Sequence, residues 1–194
     1  MVKPVSEDRR QQKEILISVD VEASGPVPGE YSMLSLGACV VGDTGTSFYV
    51  ELKPITRNIE PEAIIVAGFD LDDLEKRGVE PARAMADFES WVVSVTPRDA
   101  LPVFVAYPIA FDWMFVAYYF HRFLGRNPFG VAGLDVKSFY AGMMGTPFVA
   151  SGKREMEPQF TADLELTHNA REDAMAQAKL FERLLAHRKK FKDG

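Results

Sequence analysis

One cysteine, Cys39, is the whole of the thiol chemistry available to this chain of 194 residues. A lone thiol closes no intramolecular disulfide and supplies no Cys-based zinc cluster. Long apolar runs are missing too. The longest candidate, Phe111 to Phe120, is too short to span a bilayer and is interrupted by Asp112, so no membrane partner is expected. The first ten residues lack the apolar segment of a signal peptide, which makes the expected compartment cytoplasmic. Neither an internal repeat nor a Pro/Ser-rich linker divides the sequence, so it reads as a flexible lead-in over residues 1–13 and a single domain over 14–194. That length buries a full core, and apolar and charged fractions of 47% and 26% are those of an ordinary globular protein.

An excess of positive charge is the last thing lacking. A net charge of −6 argues at first against a nucleic-acid partner. The objection weakens if some carboxylates hold metal ions. Assigning four of them to that task brings −6 to −2, and two divalent ions would add four positive charges. An enzyme that meets phosphate through metals needs no basic surface overall.

What the sequence does contain is a carboxylate pair in the stretch Ile15-Leu-Ile-Ser-Val-Asp-Val-Glu-Ala-Ser-Gly25. Its β-branched start predicts a buried strand, and Asp20 and Glu22 then stand two apart near the end of it. Side chains two apart on a strand share a face, and two like charges buried together need a partner. A bound cation is the usual resolution, and hard oxygen ligands suit Mg²⁺ or Mn²⁺ better than zinc. Taken alone, the same fragment also fits a strand end running into an acidic turn.

Further along, Met33 to Val41 reads as a second strand, Gly42 to Gly45 as a hairpin turn and Thr46 to Leu52 as a third strand. These make an antiparallel meander with the carboxylates on its first member. A short helix from Glu62 to Ala67 follows Pro61 and stops at Gly68. Pro81 opens a longer one, with Ala84, Phe88, Trp91 and Val95 at helical spacing. Leu101 to Ala106 reads as a buried strand, Ile109 to Leu124 as a helix ended by Gly125, and Val131 to Val136 as a short last strand. Thr146 to Thr167 lacks periodicity and is expected to be a long surface loop. A final helix runs from about Asn169 into the basic tail His187 to Lys192. Strands first, then strands alternating with helices, imply an α/β fold in which a mixed sheet is covered by helices.

The helix from Ile109 is apolar nearly all the way round and is expected to be buried, which leaves Asp112 ionisable in an apolar setting. An Asp in a first helical turn also interacts with the helix dipole. Near the other end, Asn169 with Glu172 resembles a capping box. His168 then lies just ahead of the helix and Asp173 in its first turns, beside the stripe Ala174, Ala178, Phe181 and Leu185. Glu172 and Asp173 are neighbours, and the residues alone nominate either.

Asp-x-Glu on a first strand, Phe-Asp opening a helix after an apolar strand, and His-x₄-Asp at a final helix together resemble the DEDDh branch of the DnaQ-like 3′–5′ exonucleases. The superfamily includes proofreading subunits, ribonuclease T and oligoribonuclease, and the resemblance covers about residues 14–188. It implies a ribonuclease H-like fold with a five-stranded mixed sheet. It also implies two Mg²⁺ (or Mn²⁺) ions held by Asp20, Glu22, Asp112 and Asp173, with His168 as general base. The five-residue spacing from His168 favours Asp173 over Glu172. Two departures stand out. Family members commonly carry Asn where this chain has Pro108, so a polar side chain near the site gives way to a rigid ring. Ala23-Ser24 follows Glu22 where Thr is frequent, and Ser24 keeps a hydroxyl.

Phosphodiester hydrolysis explains the set. It needs a nucleophile at neutral pH and relief of charge on the leaving oxygen, which two metals roughly 3.5–4 Å apart supply together. Histidine suits the base role because its unperturbed pKa lies near 6.5. The expected partner is the 3′ end of single-stranded RNA or DNA, and homodimers occur among related exonucleases. Because bases stack on aromatic rings, Tyr31, Phe69 and Tyr107 are substrate-binding candidates, together with Ala23 and Ser24. Lys153 and Arg154 could reach a phosphate, although a basic pair in a loop is commonly solvated. Two alternative readings are a catalytically weak binding or interaction module, suggested by Pro108, and a polymerase proofreading subunit. The short stretch after the final helix offers little for a polymerase contact and weighs against the second.

Overall fold

The computed structural model describes residues 12–164 and 167–192; most of the expected lead-in, residues 1–11, lies outside the described residues. The first strand, β1 (Lys13–Ala23), begins one residue inside that lead-in, where Lys13 Nζ donates to Asp99 Oδ2 at 2.7 Å. Alternation along β1 decides everything that follows. Ile15, Ile17, Val19 and Val21 pack into one hydrophobic cluster, while Leu16 belongs to another on the opposite face, the face that Ser18, Asp20 and Glu22 share.

Strand β2 (Met33–Val40) is buried along almost its whole length and pairs antiparallel with both β1 and β3 (Asp43–Glu51). The third strand starts three residues earlier than the sequence suggests. Two residues, Val41 and Gly42, suffice for the hairpin because Gly42 takes a φ of 91°. Strand β4 (Ala100–Ala106) lies parallel to β1, and β5 (Gly133–Asp135) parallel to β4. The result is a five-stranded mixed sheet in the order β3-β2-β1-β4-β5. The carboxylate-bearing strand is therefore central.

Helices α1 (Pro61–Ala67), α2 (Leu71–Arg77) and α3 (Pro81–Val95) connect β3 to β4, and α4 (Ile109–Leu124) follows β4. Helices α3 and α4 cover the face of Ile17, Val19 and Val21, contributing Phe88, Val92, Phe115 and Phe120. Each such side chain stabilises the fold by roughly 1.5–3 kcal/mol relative to exposure. The other face is covered by α7 (Ala170–Lys192), whose Leu180, Phe181 and Leu184 pack against Val105 of β4.

Three expectations need correction. Helix α4 is not buried all round: Phe111 and Met114 are 36% and 37% exposed, because only the stripe of Asp112, Phe115, Val116, Tyr119 and Phe120 meets the sheet. Val136 is not a strand residue but begins α5 (Val136–Met144), with the Asp135 carboxylate accepting from Ser138 N at 3.0 Å as its cap. The stretch from Thr146, expected as surface loop, folds back on the domain over its described part. It contains a 3₁₀ turn (Phe148–Ala150) and α6 (Pro158–Thr161), and it buries Ser151, Met156 and Phe160. Helix α2 was not anticipated; Asp70 caps it by accepting from Asp73 N at 3.0 Å.

Candidate active site

Asp20 and Glu22 stand at the C-terminal end of β1, paired with Gly37 and Ser35 of β2. The absence of a side chain at Gly37 lets α7 lie directly on the sheet there. A Cβ at that position would come within 2.2 Å of the Ala170 backbone. Asn169 starts the helix, its Oδ1 accepting from Arg171 N and Glu172 N, both at 3.2 Å. Asp173 then faces inward at 3% exposure while Glu172 is exposed, which separates the two acids that the sequence could not. From the other side, Asp112 in the first turn of α4 is 5% exposed, and its Oδ1 accepts from Val21 N at 3.0 Å. That amide lies between Asp20 and Glu22 in the chain. Three distant segments thus bring their carboxylates to one end of β1.

The imidazole arrives by a different device. His168 has a φ of 56°, in the left-handed region that residues with a Cβ rarely adopt. Asp173 holds it there: one carboxylate oxygen accepts from Thr167 N at 2.9 Å and the other from His168 N at 3.0 Å. Ligand atoms of Glu22, His168 and Asp173 all fall within 4.8 Å of one another. Asp20 has a further neighbour that the sequence reading missed. Gln177 is 1% exposed and donates from Nε2 to Asp20 Oδ1, while its Oε1 is buried without a partner among the described residues. Its signal was its place four residues after Asp173, on the same helix face.

So much buried negative charge strains the ionised state. Burial holds the Asp20 carboxyl well above the usual range, reinforced by the charges of Asp112, Glu22 and Asp173. Burial and then the Asp173 charge push Glu22 up to about 7. Asp112 is pushed up to about 8 by burial, against the pull of the Val21 amide. Carboxylate oxygens assembled at this expense, with an imidazole beside them, fit hard divalent cations.

The substrate candidates divide. Ala23 lines an open depression with Gly25, Pro26, Glu60, Ala63 and Phe111, adjoining the carboxylates through Glu22 and Asp112. The Tyr31 ring packs over Gly25, and its hydroxyl donates to Glu60 Oε1 at 3.3 Å, which places it at the same depression. Ser24 is fully buried and its hydroxyl is engaged inside the fold, donating to Asn58 O and accepting from Ser32 N, both at 2.9 Å. Phe69 packs against Leu34, Leu71 and Leu74 and lines a separate depression with Arg57 and Asp72. Tyr107 donates its hydroxyl to Ser151 O at 2.7 Å, and Lys153 Nζ lies 5.1 Å from its ring centroid. Arg154 is exposed.

No protein-family model matches the sequence. Among curated proteins, the 3′–5′ DNA exonuclease Cap18 of Escherichia coli is 44% identical over 172 residues, covering 89% of this chain and 92% of Cap18. Among solved structures, the nuclease domain of 3′hExo, a DEDDh family member bound to rAMP, superposes with a TM-score of 0.72 at 12% identity, over 91% of this chain and 94% of that one. Cell-death related nuclease 4 gives 0.71 at 13% identity, over 91% of this chain and 65% of its own. The zinc-bound complex of E. coli exonuclease I with single-stranded DNA gives 0.68 at 15% identity, over 94% of this chain and 42% of its own. At such identities the structures establish the fold, which is ribonuclease H-like. Among the described residues no helix is long and apolar enough to cross a membrane. The likeness to Cap18 runs through nearly the whole of both chains: the chain belongs to the 3′–5′ exonucleases.

Proposed function

We propose that this enzyme removes nucleotides from the 3′ end of single-stranded DNA by metal-dependent hydrolysis, with Asp20, Glu22, Asp112 and Asp173 holding two Mg²⁺ or Mn²⁺ ions. The convergence of these four carboxylates at the end of β1 carries the reading. Bound there, divalent ions would supply an activated water at neutral pH and relief of charge on the leaving 3′ oxygen. His168 takes the proton of the attacking water on its imidazole nitrogen, in an orientation fixed by Asp173 through the backbone. Gln177 orients Asp20 from behind. The depression bounded by Ala23, Pro26, Ala63 and Phe111 receives the terminal base rather than a phosphate, because its polar rim, Glu60 and Glu62, is acidic. DNA is favoured over RNA because Cap18, at 44% identity, is a DNA exonuclease. Homodimerisation stays attached to the family resemblance, and neither it nor a cytoplasmic setting carries any part of this mechanism.

The test uses 5′-end-labelled single strands of DNA and RNA of one sequence, with Mg²⁺ or with EDTA. Stepwise shortening of DNA in Mg²⁺, slower on RNA and absent in EDTA, is expected. Intact DNA in Mg²⁺ would overturn the activity, and faster loss of RNA would overturn the substrate.

A further inference from the structure

Of the two basic residues in the stretch after α5, only Arg154 points to solvent; Lys153 is half-buried. The backbone around Lys153 is fixed on both sides. Before it, Ser151 is fully buried, donating from Oγ to Phe148 O at 2.6 Å and accepting the Tyr107 hydroxyl on its carbonyl. After it, Met156 N donates to Gly152 O at 3.0 Å, and Met156 and Phe160 are buried with Val105, Leu180 and Phe181. Tyr107 follows β4 directly and lies five residues before Asp112, so its ring supports the Lys153 ammonium near the carboxylate end of the sheet. The charges of Asp20, Asp173 and Asp112 all act on that ammonium, and it acts back on Asp20 and Asp112. Yet among the described residues it forms no ion pair within 4.0 Å. A lysine within the field of three carboxylates but in an ion pair with none of them keeps its ammonium open to another anion.

We propose that Lys153 is a catalytic residue whose ammonium contacts a non-bridging oxygen of the scissile phosphate. The proposal rests on the exonuclease reading of the same site. With the carboxylates committed to cations, the anion left for Lys153 is the substrate phosphate. A compact ammonium on a flexible stem serves as a point charge there without demanding bidentate geometry. Burial holds the lysine's pKa below its ordinary value, and the charges of Asp20, Asp173 and Asp112 oppose that shift. The supporting Tyr107 ring explains why this residue, and not the exposed Arg154, is the one turned inward.

The test couples residue to phosphate charge. Wild type, Lys153→Ala, Lys153→Arg and, as a control, Arg154→Ala are compared in two measurements. One is turnover of single-stranded DNA in Mg²⁺. The other is binding of two strands whose terminal linkage is a charged phosphorothioate or a neutral methylphosphonate. Loss of a charged hydrogen bond predicts that Lys153→Ala lowers kcat/KM by about 10- to 100-fold and shrinks the preference for the charged linkage by about tenfold. Lys153→Arg should recover part of both, and Arg154→Ala neither effect. If Lys153→Ala weakens both strands equally, the residue only supports the loop and the proposal is wrong. It is equally wrong if turnover is unchanged. A wild type that shortens no end overturns the exonuclease reading itself, and this proposal with it.

Discussion

His168 and Asp173 lie five residues apart and should fail in different ways. His168 reaches the site on a left-handed backbone, a conformation that carries a penalty of about 1–3 kcal/mol and persists where surrounding contacts impose it. His168→Ala should lower kcat by roughly 10²–10⁴-fold while leaving metal binding in place, as expected for loss of a general base. Asp173→Asn should weaken Mg²⁺ binding. It should also resist full rescue by added metal, because an amide nitrogen would face the Thr167 or His168 N–H that the carboxylate now accepts. Metal titrations followed by calorimetry and by turnover separate the two; loss of metal in His168→Ala would make the imidazole a ligand rather than the base. At this scale the sequence was informative wherever residue type and spacing carried the chemistry. Asp20, Glu22, Asp112, His168 and Asp173, which the fold gathers at the end of β1, were nominated for that reason. Gln177 was not: its place four residues after Asp173 puts it on the same helix face, but that spacing does not say that it meets an aspartate 157 residues away.

Elements set the distances that residues then use. Helix α7 reaches the carboxylates only because β2 carries glycine at position 37. Gly37→Ala must push the start of α7 off the sheet, at about 1–3 kcal/mol for such overpacking. The expected result is a lowered Tm together with a loss of turnover larger than that of a surface change, since Asp173 and His168 move with the helix. Unchanged turnover would mean that the first turn of α7 tolerates displacement. Element boundaries marked by glycine and proline, such as those of α1, α3 and α4, were readable in the chain. Helix α5 escaped notice because Asp135 does two jobs. One oxygen caps α5 through Ser138, and the other accepts from Ile109 N at 3.1 Å, serving α4 in place of the side chain that Pro108 lacks. The segment from Thr146 looked like loop because its buried residues, Ser151, Met156 and Phe160, follow no helical or strand period; tertiary contacts alone place them.

For the whole molecule, the carboxylate cluster makes stability depend on pH and metal together. In the metal-free fold Glu22 and Asp112 are raised to about 7 and about 8 from ordinary values of 4.5 and 3.8, and Asp20 is raised too. A folded state that keeps protons which the unfolded chain has released loses stability as pH rises. The contribution is complete below the ordinary values and disappears as pH climbs through the raised ones. In EDTA the Tm should therefore fall between about pH 5 and pH 8, and Mg²⁺ or Mn²⁺ should restore it most at the alkaline end. A metal-free Tm that stays level over that range would contradict the charge assignment. The most direct test of the account is turnover of 5′-labelled single-stranded DNA by Asp20→Ala and Glu22→Ala in saturating Mg²⁺, with circular dichroism as the check on folding. Both variants should remain folded and leave the DNA uncut while wild type shortens it from the 3′ end; wild-type turnover in either would contradict the assignment of a metal-dependent site at the end of β1.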